Sequence, residues 1–553
     1  MKKIKSILAL AACAAMTLAG AVSCVKDLDV TPLDPNKQWL GDNYDALFNK
    51  CLASITQAGN NGANGDSDVD NFDGGMSPLF RQLWNANELT TDEAICGWGD
   101  EGISTFVSNG YDASHPMLRA LYYRLYVGIS FCNHYLEVAA DHDATMTAEV
   151  KLVRALHYYL AADLFGNIPF TEVVASDPPA QKNRADVMKW VETELLAIEP
   201  ALSDPAPKKS TDAGYGRLDK AACWMLLARL YLNWEVYTGE TGRWSDAATY
   251  ADKVLDSPYD IYKTPTAASA EVGGVTVNHT WTAYQKLFMG DNGESGASIE
   301  AIWPCLCDGL KTTSYGGSFF LIASTFNADM TTNPLQPAAS NGSSDGAWGG
   351  NRARPDLVRK FFPKPAAVPN VESYNMITAA NDDRAIFWGV GRTLEIEKTT
   401  EFKEGFSVAK FVNFYSDGSQ PHDAKFSDAD LFFMRAAEAY LTKAEALTRQ
   451  NGNTAPTEAV TLLDNLRARS HAAPKGAYTL DDILDEWSRE FYFEGRRRVD
   501  LVRFGKFGGE NNYNWAWKGG VAEGTSFPAT KNVFAIPTTD LVANTKLTQN
   551  EGY

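Results

Sequence analysis

The residue types that most often carry catalysis are present, but their spacing does not assemble them. Seven histidines occur, at 115, 134, 142, 157, 279, 422 and 471. None stands in an H-E-x-x-H arrangement, which would put two ring nitrogens on one helix face for zinc. His157 lies in an apolar helical stretch and reads as a core histidine with its hydrogen bonds satisfied. Neither a G-x-x-x-x-G-K-[ST] phosphate loop nor a G-x-G-x-x-G opening a helix after a strand is found. Gly342-Ser343-Ser344-Asp345-Gly346 matches G-x-S-x-G in letters only. A nucleophile elbow needs a strand before it and a helix after it, and here Ser/Gly/Asn-rich sequence flanks it. Cys305-x-Cys307 is too tight for a metal knuckle, and no second pair follows at zinc-finger spacing. A glycoside hydrolase needs two carboxylates roughly 5–10 Å apart across a cleft. The 69 Asp and Glu residues offer many pairs and single out none.

The loop aromatics say more. Trp98 sits in Cys96-Gly97-Trp98-Gly99-Asp100, Trp348 in Gly346-Ala347-Trp348-Gly349-Gly350, and Tyr315 precedes Gly316-Gly317. Flanking glycines give a ring little cover. An exposed flat ring is a platform for the apolar face of a sugar, with nearby polar groups holding the hydroxyls. The other reading is a loop aromatic folded back on its own core, and the residues alone leave both open.

The elements that must position these rings are mostly helical. Apolar residues recur at helical spacing in 149–165, 218–234, 243–255, 429–449, 457–469 and 479–498. Gly166 stops the first of these. They form pairs, 218–234 with 243–257 and 429–449 with 457–470. Small residues such as Ala436, Ala437 and Ala444 allow close packing, as in tetratricopeptide units, although no clean 34-residue register repeats. The expected fold class is mainly α, stacked helical hairpins in an α/α superhelix with a loop-rich binding face. Residues 261–425 are rich in Gly, Ser, Thr, Asn and Pro yet hold Trp281, Trp303, Tyr315, Phe319, Phe320, Trp348 and Trp388. A disordered linker would be poor in such residues. This stretch is therefore expected to be an ordered insertion laid on a helical scaffold of 41–260 and 426–553.

The composition narrows the partners. With 50 Lys and Arg against 69 acids, the formal net charge is -19, which repels phosphates and excludes nucleic acid unless a basic stripe is concentrated somewhere. Arg496-Arg497-Arg498 is the one basic run. At the N-terminus, Lys2, Lys3 and Lys5 precede an apolar stretch from Ile7 to about Leu18, and Gly20-Ala21-Val22-Ser23-Cys24 follows. This is the layout of a secretory signal, with the small residues before Cys24 suggesting a lipoprotein cleaved after residue 23 and lipidated on Cys24. Residues 24–40 would be a charged tether, and lipid would anchor an otherwise water-soluble chain. The six remaining cysteines are expected to be mostly buried free thiols, because a core of this size needs no disulfide.

Several segments together resemble the SusD/RagB family of outer-membrane nutrient-binding lipoproteins. They are EVKLVRALHYYLAADLFGNIPFTE (149–172), RLDKAACWMLLARLYLN (217–233), REFYFEGRRRVDLVRFGKF (489–507) and the closing IPTTDLVANTKLTQNEGY. The pieces NANELTTDE (85–93), NWEVYTGET (233–241), YGGSFFL (315–321) and NWAWKGG (514–520) are most similar to the starch-binding member. The resemblance implies a tetratricopeptide-like scaffold and a non-enzymatic role. Starch or malto-oligosaccharide would be captured at the outer surface of the outer membrane and delivered to a SusC-type TonB-dependent transporter. It implies an arc of rings at Trp98, Tyr315 and Trp348, with Asp73, Arg81 and Glu101 as polar partners. It also implies that Arg496–Arg498 pair with acids in the scaffold. Two positions depart from the pattern. Cys96 stands where a second Trp is expected, and Glu101 where an amide is expected. No cofactor is implied, and the acidic loops are too many to choose a calcium site among them. Rival readings are another glycan or a peptide as the nutrient, a secreted glycoside hydrolase, and a purely structural lid for the transporter.

Overall fold

Local sequence starts and stops the main helices. After a helix at Tyr44–Ala53 come α1 (Leu79–Glu88) and, beyond the short Ile103–Val107, α2 (Pro116–Val138). In α2, Pro116 occupies the first turn, where its missing N–H costs nothing, and the His115 ring accepts from the Leu118 amide. α3 (Ala144–Phe165) is capped by Asp143, which accepts from the Met146 amide at 2.8 Å, and it ends at Gly166 with φ 68°. α4 (Arg184–Ile198), α5 (Lys220–Leu232) and α6 (Trp244–Leu255) follow. After the short α7 (Ser318–Thr325) come α8 (Ala437–Gln450), α9 (Thr457–Arg469), α10 (Leu480–Phe491), α11 (Arg497–Arg503) and α12 (Thr538–Ala543). Thr479 and Asp482 close a capping box at the start of α10.

Sequential helices pack as hairpins: α2 on α3, α3 on α4, α5 on α6, and α8 on α9 and α10. α6 also packs along α8, so residues before and after the long insertion share one helical stack. This is the mainly α architecture expected.

Among the described residues every sheet has two strands. β1 (Ala94–Cys96) pairs with β5 (Asn351–Ala353). β2 (Thr266–Val272) and β3 (Val275–Trp281) form a hairpin turned by Gly273 and Gly274, both at positive φ. β4 (Ala301–Cys305) pairs with β6 (Leu431–Arg435). The structure, a computed structural model, describes residues 43–60, 62–174, 176–336 and 341–553. The expected signal, Cys24 and the tether to residue 40 lie outside those residues. Phe48–Tyr553 form one compact unit, and of residues 1–47, a separate unit, 43–47 are described.

Two expected helices are corrected. The segment 429–449 is not one helix, because Leu431–Arg435 is strand and helix begins at Ala437. The run Leu-Phe-Phe-Met is a good strand sequence, and its partner lies at 301–305. The segment 479–498 is broken after Phe491. Tyr492 is extended, Phe493 takes φ 65° and Gly495 φ 80°. This turn presents the Phe493 carbonyl to Trp84 Nε1 at 2.9 Å and Glu494 to Arg435 at 2.8 Å.

The basic run is scaffold. Arg496 pairs with Glu438 at 3.0 Å, Arg497 with Asp92 at 2.7 Å, and Arg498 with Asp163. A second ionic cluster joins the insertion to the C-terminal helices. Arg435 bridges Glu300 at 2.7 Å and Glu490 at 2.6 Å, Arg469 reaches Glu300 at 3.0 Å, and Arg384 binds Glu486 at 2.7 Å, all fully buried. His157 is the satisfied core histidine expected. Its Nδ1 meets the Val153 carbonyl at 2.8 Å, and burial lowers its pKa to about 4. The six described cysteines are free, five of them buried.

Candidate functional site

The site is set by one short ladder. Cys96 pairs with Asn351 at the end of the antiparallel β1–β5 pair, and the Gly97 amide donates to the Gly350 carbonyl at 3.2 Å. In an antiparallel pair, the chain leaving one strand runs beside the chain approaching the other. Trp98 therefore emerges beside Trp348, their ring centroids 6.4 Å apart and their planes inclined by 58°. Trp98 Nε1 donates to the Gly349 carbonyl. Gly350 is required here, since a Cβ on it would lie 2.2 Å from Trp98 Nε1.

Tyr315 arrives from another direction. It ends the loop before α7, and Gly316 packs so closely on Pro78 that a Cβ would meet the proline ring at 2.1 Å. Pro78 precedes α1, so this contact fixes Tyr315 against the helix that carries Arg81. The Tyr315 ring lies 5.8 Å from Trp348, inclined by 49°. All three rings are partly exposed, backed by buried Phe319 and Phe320. Phe319 meets Trp348 edge-on at 5.3 Å.

Arg81 sits beneath the rings. It is 7% exposed, and its guanidinium carbon is 4.9 Å from the Phe320 centroid, 5.7 Å from Trp348 and 5.9 Å from Trp98. One nitrogen donates to the Gly75 and Tyr315 carbonyls, both at 3.3 Å, while Nε is buried without a partner. Burial lowers its pKa to about 10, opposed by Asp100 and Asp73. It stays protonated at neutral pH. Asp73 is exposed on the 71–76 turn, where it accepts from the Met76 amide at 2.9 Å. Gly75 lies between it and Tyr315, because a Cβ there would be 2.9 Å from the tyrosine ring and 3.4 Å from Asp73 Oδ1.

Trp98, Trp348, Tyr315, Arg81 and Asp73 are thus brought together. Glu101 is exposed three residues beyond Trp98, and no hydrogen bond or ion pair joins it to the rings. Cys96, in place of a further ring, is buried with its thiol pushed up to about 12 by burial, and it offers no stacking face. The sequence reading missed Lys425 and Asp345 at the rim. Lys425 Nζ lies 5.2 Å from the Tyr315 centroid and 2.8 Å from Asp345, and its position far along the chain gives no sequence signal. The G-x-S-x-G segment is loop. Its central serine, Ser344, is exposed in a turn with its amide donating to the Ala424 carbonyl at 2.5 Å, and the neighbouring Ser343 Oγ donates to the Lys425 carbonyl at 2.5 Å. Among the described residues no cluster of His, Cys, Asp and Glu is placed to hold a metal ion.

Comparison with known proteins follows this geometry. The model of the SusD family matches residues 325–553. The starch-binding protein SusD of Bacteroides thetaiotaomicron is 36% identical over 591 aligned residues, covering 100% of this chain and 99% of that one. The surface glycan-binding protein A of Bacteroides uniformis superposes with a TM-score of 0.63 at 19% identity, covering 92% of this chain and 98% of that one. A laminarin-binding SusD-like protein gives a TM-score of 0.62 at 20% identity, covering 92% and 99%. These two structural likenesses show the fold alone. The relative 36% identical along the whole length shows more: the chain belongs to the SusD family, a family of binding proteins rather than enzymes.

Proposed function

We propose that the protein is a cell-surface glycan-binding lipoprotein. It captures starch or malto-oligosaccharide on Trp98, Trp348 and Tyr315 and delivers it to a SusC-type TonB-dependent outer-membrane transporter. Lipid on Cys24 would hold it at the outer membrane. The observation that carries this reading is the mutual inclination of the three rings, 58° between the tryptophans and 49° between Trp348 and Tyr315. Rings so inclined cannot all stack on a flat, straight glucan ribbon. They suit a chain that turns as it passes, as α-1,4-glucan does. The full-length relative named for starch supports the same ligand.

The chemistry is stacking and hydrogen bonding. The ring faces take the apolar C–H faces of successive sugars. Asp73 offers two acceptor oxygens to neighbouring hydroxyls. Arg81 holds the loops that carry Asp73 and Tyr315 and keeps a positive charge beneath the rings. Lys425 and Glu101 stand at the edge as further polar contacts. No cofactor is needed for any of this.

Calorimetric titration with maltoheptaose tests the proposal, with cellohexaose and laminarihexaose as controls. Binding of maltoheptaose alone is expected. Binding of laminarihexaose alone would replace starch with a β-1,3-glucan, and release of new reducing ends from starch would overturn the non-catalytic reading.

A further inference from the structure

A second cleft opens beside the platform, against a face of α2 that the reading above does not use. Arg119, Tyr123, Tyr126, Val127, Ser130 and Phe131 fall on one stripe of this helix, at the i, i+3, i+4 spacing that aligns side chains. The stripe covers roughly 18 Å at 1.5 Å per residue. Residues 68–71 and Thr539 form the opposite wall, and the space between has a volume of about 650 Å³. Volumes of about 300–1,000 Å³ are usual for ligand sites.

The lining has the character of a saccharide site. Tyr123, Tyr126 and Phe131 are partly exposed rings. Polar groups stand around them. The Tyr123 hydroxyl is 2.7 Å from Thr539 Oγ1, and Arg119 Nη2 donates to the Asn71 carbonyl at 3.1 Å. Asp70 is exposed and has no hydrogen bond among the described residues, leaving both carboxylate oxygens for a ligand.

The cleft and the platform are also joined by one short stretch of chain. Asp70 lies three residues before Asp73, so at most about 10 Å of extended backbone separates them. One turn therefore carries an acid to each site, and Arg119 ties that turn to α2. Two such sites on one glycan raise apparent affinity by local concentration without any new contact at either.

We propose that the cleft between α2 and residues 68–71 is a second carbohydrate-binding site, which holds another stretch of the glycan bound on the platform. This rests on the glycan reading above, and the test separates the two. The deciding protein is the Trp98→Ala/Trp348→Ala variant, titrated calorimetrically with maltoheptaose and, in parallel, laminarihexaose to millimolar concentration. Residual binding at least tenfold weaker than wild type is expected with one of them, and it should vanish when Tyr123→Ala or Asp70→Ala is added. Asp70→Ala removes no hydrogen bond or ion pair among the described residues, and an unchanged thermal melt separates its effect from unfolding. In otherwise wild-type protein, Tyr123→Ala should weaken binding of long amylopectin about tenfold while leaving maltotriose binding unchanged. The part of the ligand-induced tryptophan fluorescence change that is lost in Trp98→Ala/Trp348→Ala reports the platform, because the lining of the cleft holds no tryptophan. Silence of the double variant toward both sugars, or residual binding indifferent to Tyr123 and Asp70, overturns the cleft. A wild-type fluorescence signal that responds to neither sugar overturns the platform reading instead.

Discussion

Trp98 and Trp348 face each other because Cys96 pairs with Asn351. Both rings stand where the strands of a three-residue ladder give way to loop, and the 6.4 Å between them is set by backbone hydrogen bonds. The proposed binding surface is therefore only as well placed as that ladder.

Removing a ring should cost affinity and little else. Trp348→Ala is expected to weaken maltoheptaose binding by about 1–3 kcal/mol, by analogy with rings stacked on nucleic-acid bases. Its melting temperature should stay close to wild type, because the ring is partly exposed in a loop. Titration and a thermal melt on the same sample check both. A large drop in melting temperature would mark the ring as core.

Gly350→Ala should act at a distance from the ligand. The new methyl would lie 2.2 Å from the Trp98 indole nitrogen, well inside contact distance. Trp98 must then swing out of place, and binding should fall as far as it does in Trp98→Ala. A maltoheptaose titration of Gly350→Ala beside Trp98→Ala makes the comparison. Equal affinity of Gly350→Ala and wild type would show that the indole position does not matter.

The buried ionic cluster predicts a stability effect. Glu490 accepts from Arg435 at 2.6 Å and is pushed well below the usual carboxylate range by Arg469, Arg435 and Arg384, against the opposing effect of burial. Glu490→Gln leaves these guanidinium groups short of a charge in a dry interior. Breaking such a cluster costs about 3–5 kcal/mol, measurable as a shift in the urea midpoint.

Asp430 predicts a pH dependence. Burial raises its pKa to about 7, despite the Tyr215 hydroxyl at 2.5 Å and the Cys307 amide at 2.7 Å. Its folded pKa lies above its unfolded value near 3.8, so the fold holds a proton that the unfolded chain releases. The stability it contributes is complete below about pH 4, falls by up to about 1.4 kcal/mol per unit as pH rises towards 7, and is flat beyond. The difference between wild type and Asp430→Asn should follow that curve in urea titrations from pH 4 to 8. A difference that does not change with pH would mean that Asp430 titrates at its ordinary value.

Much of the scaffold was legible because its signals are local. Gly166 marks the end of α3, although the reading began that helix at 149 and missed its cap at Asp143, and the alanine and valine stripe of α6 needs no partner to be read. α2 escaped because its apolar residues run round the whole helix, which blurs periodicity, although Pro116 marks its start. The strand at 431–435 was hidden because its partner is at 301–305, and helix-forming sequence follows it directly. Nothing near Tyr492 and Phe493 announces the break there; it answers to Trp84 and Arg435, both distant in the chain. At the site, the glycines beside Trp98, Trp348 and Tyr315 signalled exposed rings, and the family resemblance supplied their grouping. The Lys425–Asp345 rim could not be read, since it exists only once two loops meet.

The β2–β3 hairpin has a practical consequence. Its base is anchored, with Trp281 buried and Thr266 bonded to Lys286 at 2.6 Å, while side chains on both faces towards the tip reach solvent and Val275 is 64% exposed. A Cβ on Gly273 or Gly274 would meet nothing within 4 Å. Such tips accept insertions. A fluorescent reporter spliced between these glycines should leave the platform intact, and would let the protein be followed on living cells as it feeds.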